Sequence, residues 1–109
     1  MANVFTNAKK DLTTNGVTTV YTVPASTTGI VKSILVSEDS GNADTITLTL
    51  TDASSNVFSL YKPKAVSANE TIELLSQPIV LQESEAIKAT AATGNRLHIV
   101  LSVLQINRE

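Results

Sequence analysis

The sequence predicts an all-β protein, a single antiparallel β-sandwich or jelly-roll-like domain of about eight strands. Apolar and polar residues alternate with a period of two, most clearly where Ile46, Leu48 and Leu50 are separated by threonines. This alternation is typical of a half-buried strand and does not fit a helical stripe. Short apolar segments also recur at intervals of roughly 8–12 residues, between turn-like segments, as in sandwiches and barrels. No segment has a convincing helical period.

The first half of the chain contains four predicted strands, and residues 1–16 precede them as either an N-terminal arm or a first strand. The four are residues 17–23, 30–37, 44–51 and 57–61. Pro24 ends the first of them, and a turn-like segment at 25–29 leads into the second. The polar loop 38–43 leads into the third, whose threonines suit a solvated face. Residues 52–56 are typical of a tight turn, so the third and fourth strands are expected to form a hairpin.

The second half contains four more predicted strands. They are residues 71–75, 79–81, 85–91 and 97–106. The first alternates, with Ile72 and Leu74 on one face. The third tolerates a helix, but Gly94 follows too closely for a stable one. Because the last strand is apolar on both faces, it is expected to be central and covered on both sides, or to meet a partner chain on its outer face.

Composition excludes several classes of function. The 109 residues are 42% hydrophobic and 17% charged, with a net charge of −2, which fits one folded domain over residues 1–109. The chain lacks the basic excess that nucleic-acid binding requires. It has no cysteine, and therefore no disulfide or thiolate site. Its longest aliphatic run is interrupted by His98, Ser102 and Gln105, so no membrane span is expected.

No set of residues predicts a catalytic site, a cofactor site or a metal site. His98 is the only histidine, lies in the most aliphatic strand, and is expected to be packed or to face an interface. Paired carboxylates would need sugar-stacking aromatics to act on glycosides, and the chain has only two Tyr and two Phe. The acidic candidates are therefore expected to be solvated edge charges; they are Glu70, Glu73, Glu83 and Glu85. Residues 62–64, Lys-Pro-Lys, are expected to form a loop with its lysines in water.

One loop, residues 38–44, groups three acids with further oxygen donors, which are the ligands that calcium-binding loops use. An EF-hand loop needs glycine at its sixth position, and counting from Asp39 that position is Asp44. The template therefore fails. A solvated turn whose polar side chains, including Ser40 and Asn42, bond their own backbone is the favoured interpretation. A calcium-binding loop of another type is the alternative.

Three segments resemble a pattern common in small virion structural proteins of tailed bacteriophages, of the marine and cyanobacterial type. Residues 20–34, VYTVPASTTGIVKSI, carry its first motif, followed as in that family by an acidic loop and a Thr-rich strand. Residues 66–74, VSANETIEL, and 78–89, PIVLQESEAIKA, resemble its later strands. Residues 84–85 are Ser-Glu where the family has Gly-Asp, which leaves the turn type open. The resemblance covers about residues 17–106.

The resemblance implies a non-enzymatic part of an assembly, located in the virion after assembly in the bacterial host cytoplasm. The function it favours is a capsid decoration (cement) protein bound to the major capsid protein, as a homo-oligomer for which a trimer is the expectation. The predicted interface consists of apolar residues near the chain ends, with ordinary core closure as the alternative; these are Val4, Phe5, Leu104 and Ile106. A neck, tail or fibre-anchoring component is the second candidate. A carbohydrate-binding adhesion module is the third, and the lack of Trp argues against it.

Overall fold

The computed structural model describes residues 2–108, which form nine β-strands in two antiparallel sheets. The strands are β1 (Ala2–Leu12), β2 (Thr18–Thr22), β3 (Thr27–Glu38), β4 (Asp44–Thr51), β5 (Val57–Val66), β6 (Thr71–Glu73), β7 (Ile79–Leu81), β8 (Ala86–Ala91) and β9 (Leu97–Asn107). Sheet A has the order β1-β9-β3-β6, with β7 also paired to β3. Sheet B has the order β2-β8-β4-β5. Within the described residues, no helix is long and apolar enough to cross a membrane.

The strand pairs are nested, and this makes the sandwich a jelly roll. β1 pairs with β9, β2 with β8, β3 with both β6 and β7, and β4 with β5. The chain is therefore one long hairpin rolled up so that successive pairs fall in opposite sheets. Because β6 and β7 share one strand position, eight positions hold the nine strands. The predicted all-β antiparallel sandwich is confirmed.

The hydrophobic core lies between the two sheets and is filled by one face of each long strand. Burial alternates along β9, so that Leu97, Ile99 and Leu101 are buried while the residues between them are partly open. From sheet B, Ile46 and Leu48 of β4 are fully buried and complete the core. Burial of these aliphatic side chains supplies most of the driving force for folding.

Two strands are longer than predicted, and nonlocal pairing is the reason in each case. β3 begins at Thr27 because residues 27–29 pair with residues 105–107 of β9. β5 continues through residues 62–64, so the predicted loop there is wrong, although both lysines are exposed as expected. Pro63 is tolerated because β5 is an edge strand, and a register shift opposite it relaxes the ladder.

The β4–β5 hairpin forms as predicted, and Asp52 organises its turn. The Asp52 carboxylate accepts hydrogen bonds from the backbone amides of Asn56 and Ser54, each at 2.9 Å. The hydrogen bond from the Asn56 backbone amide is the main cause that lowers the pKa of Asp52. Burial opposes this shift, and the hydrogen bonds from the Asn56 side chain and the Ser54 amide add to it. A carboxylate that accepts its own turn's amides is the typical Asx arrangement.

Two further turns have the same hydrogen-bond pattern. One of them contains residues 84–85, where this chain has Ser-Glu and the family has Gly-Asp. In each, a glutamate accepts the amide of the residue three positions earlier: Glu70 from Ser67 at 2.9 Å, and Glu85 from Gln82 at 2.7 Å. The residue before each glutamate has a positive φ, and that of Ser84 is 70°. Glycine is favoured at such a φ, so the family's glycine at this position fits the same turn.

Candidate interaction surface

The outer face of sheet A, turned away from the core, carries an apolar row that runs across four strands. The register places Phe5 opposite Leu104, Leu104 opposite Ile30, and Ile30 opposite Val80. Residues directly opposite each other in a sheet point to the same side, so these four side chains form one continuous apolar row. Its ends are open to solvent, since Phe5 is 76% exposed and Val80 54% exposed.

A second row on the same face, which we call the mixed row, joins Lys9, Val100, Leu35 and Glu73. Its two central side chains are apolar. Its ends carry opposite charges, a cation on β1 and a carboxylate on β6. Polar residues separate the two rows, and Lys32 lies among them at the bulge in β3. The outer face of sheet A therefore carries two rows with apolar side chains, separated by polar residues that include Lys32.

Three of the four predicted interface residues lie together on this face. Phe5 and Leu104 are direct neighbours, and Ile106 follows Leu104 on the same side of β9. Val4 does not join them. It pairs with Gln105 and points to the inner side of the sheet, because neighbouring residues of a strand alternate between faces. Whether these residues form an interface stays a prediction.

Sequence reasoning missed two members of the apolar row, Ile30 and Val80. Both occur in segments that were predicted as strands, so the signal for their outward direction was present in the alternation. Their distance in sequence from Phe5 hid their proximity, because only the pairing of β3 with β9 and β7 brings them to one row.

The outer face of sheet B has a different surface chemistry. The threonines of β4 lie there half-buried, and Thr47 and Thr49 pair with Thr90 and Lys88 of β8. A shallow groove of about 350 Å³ runs over these residues and is flanked by exposed Val57. The face is thus mainly hydroxyl-lined.

Glu38 organises the loop between β3 and β4, a role that the sequence had given to the loop's other polar residues. Its side chain is only 2% exposed. The carboxylate accepts hydrogen bonds from the hydroxyl and amide of Ser40, from the Gly41 amide at 3.0 Å, and from the Asn69 amide at 3.0 Å. Burial opposes ionisation, but these hydrogen bonds outweigh it and lower the pKa of Glu38 to about 2. With four donors on its two oxygens, Glu38 has little capacity left for a cation.

The remaining acids of this loop contact other parts of the chain. Asp39 meets His98 Nε2 at 3.1 Å, and Asp11 lies 3.6 Å from His98 Nδ1. Asp44 is buried and accepts the Thr93 amide at 3.0 Å. His98 therefore lies on the outer face of sheet A, half-exposed between two aspartates, rather than enclosed in its aliphatic strand. Within residues 2–108 no three His, Asp or Glu side chains converge in a way that would hold a metal ion.

The four glutamates expected to be solvated edge charges also accept hydrogen bonds from the backbone. Glu73 accepts the Ile34 amide at 2.7 Å, together with the Ser33 hydroxyl and the Leu75 amide, at the bulge in β3. Burial opposes ionisation of Glu73, but these hydrogen bonds lower its pKa. Glu83 accepts the Ser26 amide at 2.7 Å, and the other two close the turns described above. Glu70, Glu73 and Glu83 are exposed, as expected of solvated charges, and the sequence did not reveal their backbone contacts. Bulges and turns leave amides without a ladder partner, and a nearby carboxylate satisfies them.

Two of three similar solved structures share this fold, with TM-scores above 0.5. A chain from the Bacillus endospore appendages, a family of disulfide-linked pili, is 7% identical with a TM-score of 0.60, over 98% of this chain and 89% of that one. A chain from the acid-stable capsid of Helicobacter pylori bacteriophage KHP30 is 13% identical with a TM-score of 0.57, over 100% of this chain and 90% of that one. A chain of the cyanophage Pam1 capsid is 19% identical, over 94% and 84% of the two chains, with a TM-score of 0.43. No family model and no curated protein sequence matches.

At these identities the likeness is one of fold. The jelly roll described above therefore occurs, at nearly its full length, both in a bacteriophage capsid structure and in a bacterial surface appendage. The alignments cover 89% and 90% of those chains, so the correspondence involves the whole sandwich.

Proposed function

We propose that the chain is a non-enzymatic structural protein of a bacteriophage virion, and that within the virion it is a decoration protein bound to the major capsid protein. The observation that carries the proposal is the correspondence of the whole chain with 90% of a chain in a phage capsid structure. It supports the resemblance to phage virion proteins that residues 20–34, 66–74 and 78–89 indicate from sequence alone.

The surface chemistry supports a function by contact. The apolar row of sheet A presents Phe5 and Val80 to solvent, although the core does not require either side chain. Exposed apolar groups that are contiguous and bordered by charges are typical of protein interfaces. A decoration protein would act by adding such contact area between neighbouring capsid subunits, and repetition over many copies would make a modest affinity durable.

The same features disfavour an enzyme and a sugar-binding module. The two ring nitrogens of His98 face Asp11 and Asp39, so neither is directed at the hydroxyl of Ser37, which lies opposite His98 in sheet A. Tyr21 is buried, and Tyr61 is partly buried and packs against the core. Neither tyrosine therefore forms an open stacking platform for a sugar ring.

Copy number tests the proposal. The chain is quantified by mass spectrometry in purified particles of the phage that encodes it, against the major capsid protein as internal standard. A decoration protein is expected at on the order of hundreds of copies per particle, as shell symmetry requires. A dozen copies or fewer would instead assign the chain to the neck, tail or fibre attachment. Absence from the particle would contradict a virion role altogether.

A matched pair of variants then tests the contact surface. Particles that lack the chain are incubated with recombinant Phe5→Asp or Val57→Asp, and the bound protein is measured after sedimentation. Both positions are exposed valine or phenylalanine sites on edge strands, but only Phe5 belongs to the apolar row. Occupancy is expected to fall for Phe5→Asp and to stay unchanged for Val57→Asp. Equal occupancy of both variants would remove sheet A from the assembly contact.

A further inference from the structure

We propose that the outer face of sheet A packs against the same face of a second copy of this chain, about a two-fold axis parallel to the strands. The proposal concerns the isolated chain and goes beyond the virion role, since it is tested without a capsid; on a particle, the second copy and the capsid would compete for this same apolar row. It rests on the order of side chains in the apolar row and the mixed row. This rotation places each row against the same row of the second copy, with apolar side chains opposite apolar ones and the cation opposite the carboxylate.

The rotation places each strand of sheet A over a different strand of the other copy. β1 comes to lie over the partner's β6 and β7, and β9 over its β3. Each residue keeps its position along the strand direction. Phe5 then faces the partner subunit's Val80, and Leu104 faces the partner subunit's Ile30. The apolar row is therefore buried against its own copy along its entire length, and its two most exposed side chains cover each other.

Charge follows the same symmetry. In the mixed row the cation and the carboxylate are at opposite ends, with Val100 and Leu35 between them. The rotation therefore brings Lys9 over the partner subunit's Glu73, and by symmetry this contact occurs twice. Complementary charges at the margin steer association and fix the register, whereas the apolar row supplies the affinity. Glu73 also accepts hydrogen bonds from Ser33, Ile34 and Leu75, so the contact with Lys9 would add to those bonds.

Lys32 is the feature of this face that opposes pairing. It lies at the β3 bulge near the centre of the face, so the two copies of Lys32 lie near the axis. Their repulsion weakens the dimer, and screening by salt relieves it. Removing this ammonium should accordingly tighten the dimer, an effect that misfolding of a variant cannot imitate.

The face is large enough for a weak specific dimer. Four strands at a spacing of about 4.8 Å, over about eight residues of about 3.3 Å each, give about 500 Å² per copy. Two such faces bury about 1,000 Å² in total, which is the lower limit for a specific interface. A trimer, the expectation from the sequence resemblance, would need two different complementary patches on each chain.

Sedimentation equilibrium of the full chain tests the pairing. The expected mass is twice the monomer's 11.5 kDa at high concentration, with dissociation on dilution. Phe5→Asp and Val80→Asp should each raise the dissociation constant by about tenfold or more, whereas Lys32→Ser should lower it. Val57→Asp, on the edge of sheet B, should leave it unchanged. A monomer at about 500 μM, a trimer, or a dimer indifferent to both apolar substitutions would overturn the proposal.

Cross-linking tests the direction of the axis, and the absence of cysteine from the chain leaves no background. Phe5→Cys and Val80→Cys chains are treated, separately and mixed, with a bismaleimide whose spacer of about 10 Å matches the distance between packed sheets. The mixture is expected to give a covalent dimer and each chain alone to stay monomeric. Cross-linking of either chain with itself, or of neither combination, would exclude this axis. A virion role would survive that result, because copy number in particles is measured independently.

Discussion

The two sheets present different outer surfaces although they share one core. On sheet A, Phe5, Leu104, Ile30 and Val80 form an apolar row that is open at both ends. On sheet B the corresponding positions of β4 are threonines, paired with Thr90 and Lys88 of β8. Both sheets obey the same alternation toward the core. The difference between them therefore lies only on the outside.

This comparison separates what folding requires from what contact requires. The sandwich needs apolar inner faces, and hydroxyl-bearing residues on the outer face of sheet B show that a solvated outer face is compatible with the fold. Apolar side chains on the outer face of sheet A are thus not explained by the core. The explanation that we propose is a partner, and for the isolated chain the inferred partner is a second copy.

The largest effect is expected on the inside, where the two sheets should behave alike. Leu101→Ala in sheet A and Leu48→Ala in sheet B each remove a fully buried side chain. Each should lower the free energy of unfolding by about 2–5 kcal/mol, because a cavity is left in a close-packed core. Urea denaturation followed by far-ultraviolet circular dichroism measures both. A cost confined to one sheet would show that the sheets differ inside as well.

A smaller effect is expected at the connection between the sheets, and it depends on pH. The folded-state pKa of Glu38 is about 2, below its ordinary value of 4.5, so the unfolded chain binds this proton more readily. The resulting stabilisation is fully present above about pH 4.5 and is lost as the pH falls toward 2. Glu38→Gln should therefore reduce stability at pH 7 and flatten its decline between pH 4.5 and 2.

Asp39→Asn is the control for this experiment, since Asp39 is the exposed neighbour that contacts His98 instead of the loop backbone. Its stability profile should keep the decline of the parent chain below pH 4.5. Denaturation midpoints in buffers from pH 2.5 to 7 supply the measurement. If Glu38→Gln and the parent chain declined in parallel, the loop carboxylate would not be the origin of the acid sensitivity.

The smallest effect on the free energy of unfolding is expected when outer-face residues of one sheet are replaced by the type found on the other. Phe5→Thr with Val80→Thr makes sheet A resemble sheet B, and Thr47→Val with Thr49→Val does the reverse. Each substitution should change the free energy of unfolding by less than about 0.5–1 kcal/mol, because none alters the core. Self-association should disappear in the first variant and persist in the second. A large loss of stability in the first variant would make the apolar row part of the fold.

Much of the fold was predictable because its signals are local. The alternation at residues 44–51, the turn at 52–56 and the stops at Pro24 and Pro78 each depend on neighbours in sequence, and the structure places strands and turns there. The resemblance to phage virion proteins is confirmed at the level of fold. The errors arose where an element is decided by a distant partner, as at residues 62–64, which join β4 as an edge strand.

The candidate surface was predictable only in part. Phe5, Leu104 and Ile106 were identified as apolar groups near the chain ends, and they do share a face. Glu38 shows the opposite outcome, since an acid in a polar loop gave no sign that it would be buried under four hydrogen bonds. Three of those bonds come from its own loop, but the fourth comes from Asn69, more than thirty residues away.

The amino-acid sequence by itself determined that this chain is an all-β sandwich, since a period of two and the chemistry of turns act between adjacent residues. Only the tertiary structure decided which outward residues become neighbours. Phe5, Ile30 and Val80 are remote along the chain, and their meeting depends on the nested pairing of β1, β9, β3 and β7. Register between distant strands is a property of the whole packed chain, because a shift of one residue would turn each of these side chains to the opposite face.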